Sequence, residues 1–287
     1  MKFKFSKMHG CGNDYVYVDG KSEKISQEKK SELAIKVSDR NFGIGSDGLI
    51  FINPVDDENI DFEMEMYNAD GSRSEMCGNG IRCVAKYVYD KGLTTKKNLV
   101  IVSAGKKKYI DLTIGDDGMV SSVKVDMGAP ILKPDEVPVI YSGDRIVNAP
   151  IVVDGKTWHM TCVSMGNPHA VVFLPEDMNL EEFDIEKIGP KFENHEFFPR
   201  RVNTEFVKID DKNNVHMRVW ERGTGETLAC GTGACAVVTA AAANGISPVN
   251  EDISVHLKGG VLTIRYTGEN VLMTGAAEFS FDGEIEV

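Results

Sequence analysis

Cys77-Gly78-Asn79-Gly80 and Cys230-Gly231-Thr232-Gly233 lie 153 residues apart (230 − 77), and each opens an apolar segment. Gly12-Asn13-Asp14-Tyr15-Val16 answers to Gly166-Asn167-Pro168-His169-Ala170 at nearly the same offset. A polar residue also stands nine positions before each cysteine, Asn68 in one case and Glu221 in the other. One pattern carried twice in register points to a duplicated fold with two related halves, and a chain of 287 residues is long enough for about two domains. In such a fold the two cysteines would confront one another across a cleft, an arrangement suited to handling protons on both faces of one carbon.

Between these landmarks the chain reads mostly as strand. Asp61-Phe62-Glu63-Met64-Glu65-Met66 alternates acidic and apolar residues, the pattern of a strand with carboxylates outward and methionines inward. The span 98–125 reads as a meander turning near Gly105 and at Asp116-Asp117-Gly118, and hairpins are expected over 203–220 and 253–266. Ser26 can cap a helix reaching about Arg40 with Leu33, Ala34 and Val37 inward, and Asn179 can cap a short helix ending near Ile188. Two further helices, 81–91 and 234–244, are stopped by Gly92 and Gly245. Both are apolar on nearly every side, so strands should wrap them.

The net charge of −12 argues against nucleic acid or an anionic membrane as a partner, since both need basic patches. The N-terminus lacks a signal-peptide core, and the run from Ala234 to Ala243 is too short to span a bilayer, so a cytoplasmic location is expected. Six cysteines are too sparse for a disulfide scaffold.

A helix N-terminus presents unpaired N–H groups and partial positive charge, and glycines there let the backbone close on an anion. Each Cys-Gly-x-Gly turn is thus a candidate carboxylate site. Its cysteine should have a stabilised thiolate, because helix N-termini help lower thiol pKa values from about 8.5 toward roughly 3.5–7.5. The competing view makes Cys77 and Cys230 small buried hydrophobes at tight turns; repetition with flanking glycines favours chemistry. Cys11, Cys83, Cys162 and Cys235 lack that context and read as packing residues. Gly43-Ile44-Gly45-Ser46-Asp47-Gly48 fits a dinucleotide-binding pattern, but a helix precedes it and a strand follows, the reverse of what that site needs. The cysteine spacings do not suit structural zinc, nor the C-x-x-C of a redox dithiol.

Taken in order, Met8-His9-Gly10, Gly12-Asn13-Asp14, Asn68-Ala69-Asp70-Gly71-Ser72, Cys77-Gly78-Asn79-Gly80, Ser164-Met165-Gly166-Asn167-Pro168-His169, Glu221-Arg222-Gly223, Gly225-Glu226-Thr227 and Ala229-Cys230-Gly231-Thr232-Gly233 closely resemble the diaminopimelate epimerases. The resemblance runs from residue 6 past Met273-Thr274-Gly275. It implies an α/β (α+β) fold of two pseudo-symmetric halves, each a rolled sheet around a central helix, with the last strand returning to the first half. The expected boundaries are 1–126 plus 276–287 for the half carrying Cys77 and 127–275 for the half carrying Cys230. It further implies a homodimer that interconverts LL- and meso-diaminopimelate without cofactor or metal, on the route to lysine and cell-wall precursor. Carried over by position, Cys77 and Cys230 are the acid/base pair. Gly78, Asn79, Gly231 and Thr232 cradle the reacting carboxylate. Asn13, Asn68, Asn167, Asn203, Glu221 and Arg222 bind substrate, and His169 and Glu221 tune the sulfurs. Two positions depart from the pattern: Gly48 stands where some members have Gln near the substrate, and Phe281 where some have Tyr at the subunit contact. A proline-racemase-like isomerase, or a non-catalytic binding protein for a dicarboxylic amino acid, are the rival readings.

Overall fold

The computed structural model describes residues 1–74 and 77–287, and the chain divides into two compact units, Met1–Val125 with Thr274–Val287 and Asp126–Met273. The first holds β1 (Lys2–Gly10), β2 (Asn13–Asp19), α1 (Gln27–Ser38), β3 (Gly48–Pro54), β4 (Phe62–Asn68), β5 (Arg73–Ser74), α2 (Gly78–Asp90), β6 (Asn98–Ser103), β7 (Lys106–Ile114) and β8 (Val120–Gly128) as far as Val125. Then follow a 3-10 turn at Pro134–Glu136, β9 (Ala149–Val153), β10 (Lys156–Ser164), β11 (Pro168–Phe173), α3 (Ile185–Glu193), β12 (Asn203–Asp211), β13 (Asn214–Glu221), β14 (Gly225–Thr227), α4 (Gly231–Ala243), β15 (Ile253–Leu257), β16 (Gly260–Tyr266) and β17 (Val271–Gly275). The final strand, β18 (Glu278–Glu286), lies antiparallel to β1 and so belongs to the first unit.

Strand pairing repeats between the units. In the first, β2 is antiparallel to β1 and parallel to β3, β3 is antiparallel to β4, and β4 is parallel to β6, which turns back on β7. In the second, β11, β10, β12, β13, β15 and β16 make the same sequence of antiparallel and parallel steps. This is the duplicated, sheet-dominated α+β architecture the sequence implies. The reason for two parallel steps per unit is connection length: α1 and α3 bridge one of them, α2 and α4 the other, and parallel neighbours need such crossovers.

α2 packs on β1 and β2, and Ile81, Cys83, Val84, Ala85 and Val88 are fully buried; α4 packs on β10 and β16, and its residues from Ala234 to Val238 are likewise out of solvent. Each buried Val or Ile contributes about 1.5–3 kcal/mol, which holds these helices despite their glycine-rich first turns. Both helices begin three residues earlier than the apolar pattern suggests, at Gly78 and Gly231, so each cysteine is itself the N-cap. Both stop as expected, with Gly92 and Gly245 in the left-handed region at φ 73° and 70°.

Three local expectations are corrected. Glu65 on β4 faces inward: α1 covers it, and Lys30 Nζ meets its carboxylate at 2.5 Å. Ser26 occupies the N-cap of α1 but makes no side-chain capping bond. Asn179 does not start a helix, because its side chain takes the Glu181 N–H at 3.0 Å in a local turn; α3 begins later, where Asp184 accepts the Lys187 N–H at 3.1 Å. Phe281 on β18 is half-exposed and packs edge-on against Phe5, with ring centroids 5.9 Å apart. No helix among the described residues is long and apolar enough to cross a membrane.

Candidate active site

In the first unit the α2 N-terminus carries the chemistry. Cys77 is half-buried, and its Sγ accepts the Gly80 N–H at 3.2 Å. Asn13, at the start of β2, turns Oδ1 toward that sulfur at 3.3 Å and accepts from Asn79 Nδ2 at 3.3 Å. The Asn13 amide is oriented from behind, since its Nδ2 donates to the Asp47 carboxylate at 2.7 Å. Asn79 is oriented by Arg82, a fully buried guanidinium that donates to Asn79 Oδ1 at 3.0 Å and to the Gly78 carbonyl at 3.2 Å. The Tyr15 hydroxyl also faces the Cys77 sulfur. Asn68 ends β4, its Nδ2 donating to Ser72 Oγ at 3.0 Å.

The second unit builds the same turn with other neighbours. Cys230 is buried, its Sγ accepting the Gly233 N–H at 3.4 Å with Thr232 Oγ1 at 3.5 Å. Asn167 Nδ2 donates to Thr232 Oγ1 at 3.2 Å, and Asn167 Oδ1 faces His169 Nε2 at 3.0 Å. The other ring nitrogen of His169 meets Glu205 Oε1 at 2.7 Å, and both side chains are wholly out of solvent. Glu221, ending β13, accepts from Thr227 Oγ1 at 2.5 Å and faces the Cys230 sulfur. Asn203 is buried, and its Oδ1 accepts the Arg222 backbone N–H at 2.8 Å; the exposed Arg222 side chain reaches the Arg200 carbonyl at 3.1 Å.

Both sulfurs differ from expectation in one respect: neither thiol is lowered. Burial pushes Cys77 above its ordinary value, while the Gly80 and Asn79 N–H groups, the Tyr15 hydroxyl and the Arg82 charge offset only part of that. Cys230 is pushed well above, by burial first and then by the Glu221 and Glu205 carboxylates, against which Thr232 and the Gly233 N–H are too weak. Burial likewise raises Glu221, opposed by Thr227, Cys230 and His169. The N–H donors of a helix start are thus present as expected, and desolvation outweighs them.

The first unit brings Asn13, Cys77, Gly78 and Asn79 together, and the second gathers Asn167, His169, Glu221, Cys230, Gly231 and Thr232. Gly48 has no room for a side chain, since a Cβ there would stand 2.1 Å from the Tyr67 carbonyl and 2.9 Å from the Tyr15 ring. Four residues of these networks escaped the sequence reading: Tyr15, Asp47, Arg82 and Glu205. The repeat held a clue to two of them, because Tyr15 lies opposite Gly48 as His169 lies opposite Asn203. Strand alternation, in turn, puts Glu205 on the same face as Asn203.

A family model described as diaminopimelate epimerase matches residues 5–133 and 161–280. Among curated relatives, a diaminopimelate epimerase of Agathobacter rectalis is 53% identical over 99% of both chains. One of Methanococcus maripaludis is 52% identical over 99% of this chain and 100% of its own. Among solved structures, a phenazine biosynthesis protein of the PhzF family from Enterococcus faecalis aligns over 100% of both chains with a TM-score of 0.70 at 12% identity. A hydroxyproline epimerase from Agrobacterium vitis aligns over 99% of this chain and 92% of its own with a TM-score of 0.66 at 14% identity. Those two likenesses speak for the fold alone; the family match and the two full-length relatives go further, and the chain belongs to the diaminopimelate epimerase family.

Proposed function

We propose that the protein is an isomerase that interconverts LL- and meso-2,6-diaminopimelate by two-base proton transfer, with no cofactor. The observation that carries this reading is the twofold occurrence of a cysteine N-cap whose Sγ accepts the N–H of the glycine three residues on, in a chain related over its full length to diaminopimelate epimerases. One sulfur, as thiolate, removes the α-proton, and the other, as thiol, returns a proton to the opposite face of the same carbon; the roles exchange in the reverse direction. The first-turn N–H groups of Gly78, Asn79, Gly231 and Thr232 stabilise the negative charge that develops on the substrate carboxylate. Asn13, Asn68, Asn167, Asn203, Glu221 and Arg222 supply donors and acceptors for the substrate, several of them at its distal amino-acid end, Arg222 with the planar fork that suits a carboxylate. A shorter amino acid would leave such groups unpaired at about 1–3 kcal/mol each, a basis for rejecting it.

The test is incubation with LL-diaminopimelate in D2O, followed by chiral analysis and proton NMR. Deuterium should enter the α-position as the meso isomer accumulates. Cys77→Ala and Cys230→Ala should each cut turnover by about 10²–10⁴-fold or more, the contribution of a general acid or base, with an unchanged circular dichroism spectrum. Binding without exchange would make the protein a ligand carrier, and exchange confined to proline analogues would make it a racemase of another substrate.

A further inference from the structure

The two units place different side chains at equivalent positions beneath their cysteines. An added Cβ on Gly80 would stand 2.9 Å from Ile50 Cδ1, whereas one on Gly233 would stand 2.7 Å from Glu205 Oε1 and 3.3 Å from the Cys230 sulfur. Ile50 pairs with Tyr17 across β2–β3 as Glu205 pairs with Val171 across β11–β12. The same strand position thus carries a methyl group under Cys77 and a carboxylate under Cys230. Around these, Tyr15 stands where the second unit has His169, Asn68 where it has Glu221, and Arg82 where it has Cys235. Around Cys77 stand the Arg82 cation, the Tyr15 hydroxyl and the Asn13 Oδ1 acceptor at 3.3 Å, whereas Cys230 faces the Glu221 and Glu205 carboxylates.

Glu205 is costly to the fold. Its carboxyl group is wholly buried, and Oε2 finds no hydrogen-bond partner among the described residues. A buried carboxyl group with one oxygen unpaired among the described residues costs the fold free energy, and its place is beside the sulfur. Only the gap left by Gly233 separates it from Cys230. Its Oε1 meets His169 Nδ1 at 2.7 Å, the first contact of a chain that runs through Asn167 to Thr232. Asn167 Oδ1 can only accept, so the hydrogen between it and His169 Nε2 comes from the ring, and Asn167 Nδ2 donates to Thr232 Oγ1, which stands 3.5 Å from the Cys230 sulfur.

We propose that Glu205 is a positioning residue for the proton transfer assigned above: it holds Cys230 as the protonated partner, and through His169 it orients Asn167 and Thr232. This rests on the epimerase reading for its purpose, though not for its test. Glu205 Oε1 lies beside the gap at Gly233 next to the sulfur, and the His169 ring reaches that sulfur by way of Asn167 and Thr232. Glu221 adds a second carboxylate at the same sulfur. The counterpart, Cys77, with Tyr15, Arg82 and the Asp47-anchored Asn13 as its charged and titratable surroundings, is then the readier base.

The measurement is the pH dependence of iodoacetamide alkylation at each cysteine, resolved by mass spectrometry of the Cys77 and Cys230 peptides. In the unaltered protein Cys77 should reach half-maximal reactivity at lower pH than Cys230. Glu205→Gln should move the Cys230 midpoint down by about one pH unit, a tenfold change in ionisation, and leave the Cys77 midpoint in place. Glu205→Asp, which keeps the charge, should hold it up. Should Glu205→Gln fail to fold, the order of the two midpoints in the unaltered protein still decides: Cys230 ionising first overturns the proposal, as does an unmoved Cys230 midpoint in a folded Glu205→Gln. Deuterium exchange on the same stock separates the two readings, since normal epimerisation with an unmoved midpoint removes the role of Glu205 alone.

Discussion

At the scale of single residues, the third position after each cysteine has to be glycine for two reasons at once. Its N–H caps the sulfur, and the space its side chain would fill already belongs to the strand beneath. Gly233→Ala should therefore push the helix start away from Glu205 and displace the Cys230 sulfur. A shift of the order of 1 Å costs about 10²-fold in rate, so kcat should fall by at least that factor while the thermal midpoint drops modestly; near-normal kcat would show that the turn yields without moving the sulfur. The cysteines and asparagines were legible because each stands beside glycine at a repeated spacing. Glu205 and Arg82 were not, since a linear reading cannot tell a buried charge from a solvated one. Nor could spacing reveal the balance at the sulfurs: it shows the N–H donors of the turn and is blind to the depth of burial that overrides them.

Among the elements, α1 and β4 show how a sound periodicity can mislead. Glu65 sits on the face that alternation assigns to solvent, yet α1 lies across it. Burial alone would raise its carboxyl, but hydrogen bonds from Lys30, Gln27, Tyr67 and Asn53 together bring it down from an ordinary 4.5 to about 2. Because the folded value is the lower one, this contribution is fully present above about pH 4.5 and is lost as pH falls toward 2. Lys30→Met removes the paired cation from a carboxylate that keeps its bonds from Gln27, Tyr67 and Asn53, and should cost about 1.5–3 kcal/mol at pH 7, the range for a hydrogen bond to a charged group. Urea denaturation would check it: the gap between Lys30→Met and the unaltered protein should narrow from pH 4.5 to pH 2.5, and a constant gap would mean that the pair contributes by packing alone. Hairpins were legible from their turns, such as Asp116-Asp117-Gly118. The start of α3 was not, because Asn179 and Asp184 are equally good caps in sequence and only the tertiary path chooses Asp184.

For the molecule as a whole, the repeat was the most informative thing in the sequence, and the pairing order of the strands reproduces it step for step. What repeats is backbone: the paired turns, the two parallel crossovers, the glycine-capped ends of α2 and α4. What differs is the charge set beneath each helix, and duplication followed by divergence at those few positions is a route from two equal sulfurs to an unequal pair.

The last strand has a consequence for synthesis. β18 lies along β1 from Lys2 to His9, and Phe5 packs against Gly283 and Phe281. A ribosome therefore finishes everything the second unit needs while Phe3 and Phe5 still lack their cover, and the part translated first is the part completed last. Nascent chains from which residues up to 273 have emerged should resist protease within 126–273 and be cut within the opening strands, and that cutting should cease once the closing segment has emerged too; equal protection before and after would mean that β1 is secured without it.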